Sequence, residues 1–353
     1  MGFAPALLGA AACAAILATA CARAPPRLVT TANGTFKIAM FADMHYGEGE
    51  AEAWGPAQDA NSTRVQNAVL QSELDGLGLV VMLGDMITGN NVHSNSSAYW
   101  DEFTLPVRAN FSGLPWATIL GNHDDYPFQA DGSPRPYTVE TQADRRELLA
   151  NDLRFADSAT QLGPAGISLA SNYFLPVGSH GDPQGPPELL LYFLDSGGGR
   201  APEVVYPDQV AWLEGLRTQH IAKWGKGVRS LLFMHIPCPQ YTKALHSPQG
   251  FFGMALDNVT PTANDTGVFA VAKDTGIQAV FVGHDHGNDF CGSVEGVWLC
   301  FGRHSGYGGY GSWRRGSRVV ELGSDGAIRT WVRMEDGDVV SSGELVGAGD
   351  AQG

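Results

Sequence analysis

The sequence predicts a layered α/β domain with a mixed or antiparallel second sheet. Three observations predict it. Short, mostly apolar runs alternate with helical stretches through most of the chain. After Asp289 the pattern changes to strand-like runs separated by Gly-rich turns. The chain has 353 residues, 44% hydrophobic and 17% charged, a globular composition long enough for one large domain or two modest ones.

The elements follow in order. The first twenty residues are nearly all small or aliphatic and end Ala18-Thr19-Ala20, a cleavage pattern, so residues 1–20 read as a signal peptide. No Lys or Arg precedes Arg23, which leaves an uncleaved anchor or a lipid-modified Cys21 as the other readings. No later segment is apolar enough to span a bilayer, so no stable membrane span is expected after cleavage. Residues 21–34 read as a linker, 35–340 as the catalytic domain and 341–353 as a disordered tail. Strands are expected at Phe36–Ala42, Leu79–Leu83, Trp116–Leu120, Leu189–Leu194, Ser230–Met234 and Gln278–Val282, each apolar enough to be buried on both faces. Helices are expected at Ser62–Leu74, Ala98–Val107, Ala143–Leu153, Pro207–Ile221 and Ala263–Lys273. The later strands are Val297–Phe301, Arg318–Leu322 and Ile328–Val332, and 126–140 reads as a surface loop.

The formal charge is −15, from 37 acids and 22 bases. Such a field repels nucleic acid and anionic membrane, so no nucleic-acid partner is expected, and an anionic ligand needs a local positive feature such as a metal cluster. Six N-x-S/T triplets open at Asn33, Asn61, Asn95, Asn110, Asn258 and Asn264, as in glycosylated proteins of the secretory pathway, extracellular or vacuolar/lysosomal; a polar loop composition is the other reading. Of the five cysteines, Cys291 and Cys300 flank a stretch with hairpin character. In an oxidising compartment they could pair; otherwise they are two buried thiols. No C-x-x-C occurs, so a structural zinc or thioredoxin-like motif is not indicated. Nothing in the sequence sets an oligomeric state.

Chemistry concentrates where apolar runs end. The first ends in Asp43-Met44-His45, the second in Gly84-Asp85 and the third in Gly121-Asn122-His123-Asp124. The fifth ends in His235 and the sixth in Gly283-His284-Asp285-His286. Ligands of α/β sheets bind at that carboxyl edge, and five of the ten histidines fall in these clusters. Asp-x-His or Gly-Asp alone is uninformative; the ordered set is not. The Gly306–Gly311 stretch matches G-x-G-x-x-G, but the expected helix and downstream acid do not follow, and no G-x-S-x-G elbow or P-loop occurs.

These motifs, in this order, resemble those of the calcineurin-like metallophosphoesterases, from about Phe36 to Val332. Phe41–Gly47, Asn61–Arg64, Gly283–Cys291 and Ser305–Gly311 are similar to a branch of plant, algal and fungal proteins whose plant members are named purple acid phosphatases. The resemblance implies an α/β/β/α sandwich of two mixed β-sheets flanked by helices, and hydrolysis of phosphate monoesters by a hydroxide on a dinuclear centre. It implies one metal held by Asp43, His45, Asp85 and His286 and another held by Asp85, Asn122, His235 and His284. Carboxylate, amide oxygen and imidazole suit Fe, Mn or Zn. It further implies His123 as general acid, with Asp124 orienting it. The purple enzymes carry a tyrosine where this chain has Thr88, which leaves a strict iron(III) centre in doubt. Arg303, His304, Tyr310 and Arg314 are candidate substrate groups for a small phosphate ester or a phosphoprotein. A phosphodiesterase of the same fold and a secreted, non-catalytic binding protein are the alternatives.

Overall fold

A computed structural model describes residues 24–89, 91–92, 96–125, 142–248 and 250–348; the expected signal peptide, the 126–140 loop and Asn95 lie outside them. In chain order the elements are β1 (Leu28–Val29), β2 (Phe36–Phe41), α1 (Gly55–Glu73), β3 (Leu77–Leu83), α2 (Ser96–Asn110), β4 (Trp116–Ile119), α3 (Gln142–Asp152), β5 (Tyr173–Gly178), β6 (Leu189–Phe193) and α4 (Pro207–Trp224). Then follow β7 (Arg229–Phe233), α5 (Tyr241–Ala244), β8 (Phe251–Phe252), α6 (Val268–Asp274), β9 (Ala279–Val282), β10 (Cys291–Val294), β11 (Val297–Phe301), β12 (Gly316–Leu322), β13 (Ile328–Met334) and β14 (Val339–Val346).

Two mixed sheets stack face to face. One has six strands in the order β14-β13-β12-β2-β3-β4, the other eight in the order β1-β5-β6-β7-β9-β11-β10-β8. Period-two alternation divides each strand between two cores. Ile38 and Met40 of β2 meet Leu191, Phe233 and Phe281 between the sheets. Ala39 and Phe41 point the other way, to Val65 and Val69 of α1 and Phe103 of α2. The outer face of the eight-stranded sheet is covered by α4 and α6 through Val210, Leu213, Phe269 and Ala272. Every central strand is thus buried on both faces, which is why each reads as a continuous apolar run. The result is the expected α/β/β/α sandwich.

Several boundaries move for local reasons. The first helix starts at Gly55 rather than Ser62, with a proline in its first turn. The sixth starts at Val268 rather than Ala263, because Gly267 takes φ +99 ahead of it. Within the expected linker, β1 pairs parallel with β5 and Leu28 enters the inter-sheet core. The expected boundary at 340 falls inside β14, which continues to Val346 and buries Leu345. Its register shifts against β13 and its Ser-Ser-Gly-Glu segment hide the strand pattern from the sequence. The strands after Asp289 do not form a separate sheet: β10 and β11 join the eight-stranded sheet and β12–β14 the six-stranded one.

Asn33, Asn110, Asn258 and Asn264 are exposed. Asn61 departs from the surface-loop reading: it lies within α1, and the Thr63 hydroxyl of its triplet bonds the Tyr46 hydroxyl at 2.9 Å. Among the described residues no helix is long and apolar enough to cross a membrane.

In the β10–β11 hairpin, Glu295 and Gly296 form the turn at φ 49° and 85°, and Cys291 lies directly opposite Cys300. The two are disulfide-bonded, with Cα atoms 4.1 Å apart. Replacing both by serine should lower stability by about 2–3 kcal/mol, the loop-closure contribution of so short a ring. Thermal melts should show a midpoint lower by a few degrees, and an unchanged midpoint would assign the bond no stabilising role.

Candidate metal centre

The site is built where strands of both sheets end at one rim. Asp43 and His45 follow β2, Asp85 follows β3, and Asn122 and His123 follow β4 of the six-stranded sheet. His235 follows β7, and His284 and His286 follow β9, of the eight-stranded one. The backbone there is unusual. Asp43, His45, Asp85 and His284 all take φ between 51° and 77°. That left-handed region is disfavoured for residues with a Cβ, and clusters of such residues mark sites that the surrounding structure over-determines. Two glycines are required by close approach. A Cβ on Gly121 would lie 2.2 Å from Asp85 Oδ1, and one on Gly84 would lie 2.5 Å from His235 Nδ1.

Two groups of donors face each other. Asp43, His45 and His286 form one; Asp85, His235 and His284 form the other; within each the ligand atoms lie within 4.8 Å. His45 Nε2 and His286 Nε2 are 3.3 Å apart. Asn122 Oδ1 is 2.9 Å from His284 Nδ1 and 3.1 Å from His235 Nε2. Asp85 Oδ2 is 3.0 Å from His235 Nε2 and 4.0 Å from His45 Nε2, so one carboxylate oxygen lies between the groups. The outer ring nitrogens are anchored. His235 Nδ1 donates to Leu83 O at 2.9 Å, and His286 Nδ1 donates to Tyr310 O at 2.9 Å. His45 Nδ1 meets the Thr88 hydroxyl at 3.0 Å. Outer partners of this kind fix tautomer and ring orientation in metal-ligating histidines.

The arrangement fits a pair of cations. A carbonyl only accepts, so Nδ1 of His235 and of His286 carries a proton and each ring turns Nε2 inward. The inward Nε2 of His235 faces a carboxylate oxygen and an amide oxygen in a buried crevice, a place that either a proton or a metal ion satisfies. Burial pushes the Asp43 carboxyl up to about 8, with His235 opposing and Asp85 adding to the rise. Burial also drops His284 to about 3 and His286 to about 4, leaving neutral imidazoles at physiological pH. His235 is the exception: burial lowers it, but Asp85 holds it up at about 10.

Other expected site residues fall differently. The Asp124 carboxylate accepts the backbone N–H groups of Asp85, Met86, Ile87 and Gly121 at 2.7–3.0 Å, a role the sequence did not disclose. In return Asp85 Oδ1 accepts the His123 N–H at 2.7 Å. The two strand-end loops therefore hold each other through reciprocal carboxylates. Arg303 does not reach the cleft: it is buried, paired with Asp289 at 3.0 Å and bonded to the Arg314 carbonyl. His304 is buried behind His286, ring centroids 3.9 Å apart, with Nε2 on Gly308 O. Arg314 is exposed and tied to Asp336 and Asp338. Of the candidate substrate groups Tyr310 alone lines the cleft, its ring stacked on His286 at 4.0 Å and its hydroxyl accepting the His286 N–H. The cleft holds about 460 Å³ and is also lined by Glu48, Asn91 and Thr260, which no motif marks.

Fold and donor set together define a dimetal hydrolase whose centre straddles two sheets. Residues 36–288 match the calcineurin-like phosphoesterase family, and the chain belongs to it as a metal-dependent phosphoesterase. It is 29% identical over 344 residues to probable inactive purple acid phosphatase 28 of Arabidopsis thaliana, covering 86% of this chain and 81% of that one. It is 30% identical over 342 residues to phosphatase DCR2 of Saccharomyces cerevisiae, covering 87% of this chain and 55% of that one. Its fold is similar to a dimetal phosphatase from Danio rerio, at TM-score 0.55 and 15% identity over 88% of this chain and 98% of that one. It is also similar to a purple acid phosphatase from yellow lupin, Lupinus luteus, at TM-score 0.52 and 13% identity over 87% of this chain and 53% of that one.

Replacing Asp124 by alanine would orphan four buried backbone donors. It should destabilise the fold by at least about 3 kcal/mol, whereas His123→Ala should leave the melting temperature within about one degree. Melts of the two variants side by side test this, and equal stability would remove the clasp role from Asp124.

Proposed function

We propose that this chain hydrolyses phosphate monoesters, with Asp43, His45, Asp85 and His286 holding one cation and Asp85, Asn122, His235 and His284 the other. The observation that carries the reading is the position of Asp85 Oδ2 between the two donor groups. When bound, the cations supply an acidified water and a local positive charge that draws and neutralises phosphate. Two divalent ions against two carboxylates leave roughly +2, matched to a phosphate dianion despite the acidic surface.

The protein's own residues do the rest. His123 lines the cleft, its ring edge-on to His45 with centroids 5.1 Å apart. Its backbone N–H is held by Asp85, so the residue between the donor groups also fixes where His123 stands in the cleft. Our reading is that the His123 ring gives a proton to the leaving alkoxide, which matters most when that alkoxide is a poor leaving group. Thr88 and Tyr310 hold the His45 and His286 rings, and Tyr310 forms one wall beside the ester group. The qualifier "probable inactive" belongs to the Arabidopsis relatives; the reading here rests on donors present in this chain.

Side-by-side kinetics on p-nitrophenyl phosphate and its bis ester should favour the monoester; preference for the bis ester makes the chain a diesterase, and turnover of neither makes it a binding protein. Asp85→Ala should lose both metals and activity; elemental analysis finding two full equivalents in that variant would reject the bridging role. His123→Ala should keep both metals and slow turnover by about 10²–10⁴-fold on alkyl phosphates. On p-nitrophenyl phosphate the loss should be much smaller, and equal losses on both would exclude the acid role.

A further inference from the structure

The Asn122–His123 turn is gripped from behind by residues that no motif marks. Arg145, in α3, is 1% exposed, and its guanidinium reaches both ends of the turn. Nη2 donates to the Gly121 carbonyl at 3.2 Å, just before Asn122. Nη1 pairs with the Asp125 carboxylate at 2.8 Å, just after Asp124. The same guanidinium is forked onto Asp195, with Nη2 at 2.7 Å and Nε at 3.3 Å, and Nη1 lies 3.5 Å from Gly198 O. A planar fork of fixed donors suits such bracketing, and an ammonium cannot reproduce it.

Asp195 opens the loop after β6, and that loop presses on the turn that carries Asn122. Gly197, Gly198 and Gly199 take φ of +76°, +100° and +63°. A Cβ on Gly198 would lie 2.1 Å from the Asn122 Cβ, and one on Gly199 would lie 1.8 Å from Asp125 Oδ1. Here glycine is needed for the backbone to press against the turn. Next to Asp195, the Ser196 hydroxyl accepts the Ile236 N–H at 2.9 Å, immediately after His235. Both Asn122 and His235 belong to the group completed by Asp85 and His284. None of these contacts reaches Asp43, His45 or His286.

We propose that Arg145 is a positioning residue, acting with Asp195 and the 195–199 loop on the Asn122-containing metal site far more than on the other, which the bracketed turn reaches only through the His123 N–H on the shared Asp85. This rests on the reading that the two donor groups each hold a cation. Arg145 also sets the angle at which His123 enters the cleft, because His123 follows Asn122 in the bracketed turn.

The test uses the full chain, stripped of metal and titrated calorimetrically with Mn²⁺ or Zn²⁺, in the wild type, Arg145→Met, Arg145→Lys and Asp195→Asn. The expected result is one binding step weakened about 10–100-fold, the loss typical of removing a residue that orients a ligand. The other step should stay within about twofold, and Arg145→Lys should recover part of the loss. Weakening of both steps alike, or of neither, overturns the proposal. Should Arg145→Met fail to fold, Arg145→Lys and Asp195→Asn, which keep charge and shape respectively, decide by the same criterion. Activity is read separately, at metal concentrations that saturate both sites in every variant: Arg145→Met combined with His123→Ala should be no slower than His123→Ala alone on alkyl phosphates, and multiplying losses would count against the link to His123. A wild type that binds two cations but turns over no ester sinks the catalytic reading alone, while the site-selective loss still decides this one.

Discussion

The molecule is organised around one electrostatic constraint: buried lone pairs from far-separated strand ends point at one another across a crevice. Acceptor facing acceptor is repulsive at short range, and burial deepens the penalty by removing water. Only positive charge placed among them, a proton or a metal ion, resolves it. The features around the crevice all serve to keep the lone pairs turned inward. The outer nitrogens of His235 and His286 are tied to carbonyls, so neither ring can flip without losing a bond. The left-handed backbones at Asp43, His45, Asp85 and His284 turn the side chains off the strand direction and back over the sheet edge. The crossed carboxylates of Asp85 and Asp124 keep the two loops that carry them at one separation.

What the sequence discloses follows from this. A donor that must stand at the end of a doubly buried strand leaves a visible signature, an apolar run followed by Asp, His or Asn. That is why Asp43, His45, Asp85, Asn122, His235, His284 and His286 could be picked from the chain and are the side chains that converge. The supporting residues leave no such signature. Arg303 looked available because it sits in a Gly-rich basic segment, yet its partner Asp289 lies on the other side of β11, and burial is a property of the pairing. Asp124 follows His123 in sequence, but its partners are backbone amides about 38 residues earlier and a glycine three residues back. Arg145 and Asp195 are ordinary residues until the fold brings them together.

Strand pairing was likewise only partly legible. Apolar runs locate strands but do not say which neighbours they choose, because pairing is decided between residues hundreds of positions apart. The chain therefore reads as one sheet followed by another, while the structure interleaves them: β2–β4 share a sheet with β12–β14, and the strands between, together with β1, build the second sheet. The short β1 and the bulged β14 escape notice because the first lacks the length and the second the clean alternation that marks a strand.

That interleaving has a consequence for how the protein is made. The strand that delivers Asp43 and His45 is hydrogen-bonded on one side to β3 and on the other to β12, whose residues Arg318–Leu322 pair with Met40–Phe36. During synthesis β2 emerges early and waits, with one flank bare, for a segment nearly three hundred residues behind it. The candidate ligands all precede residue 287, yet the sheet that carries Asp43 and His45 gains its second flank only once β12 has been made. A nascent or truncated chain ending near residue 300 would present an apolar open edge and so be a species for chaperones.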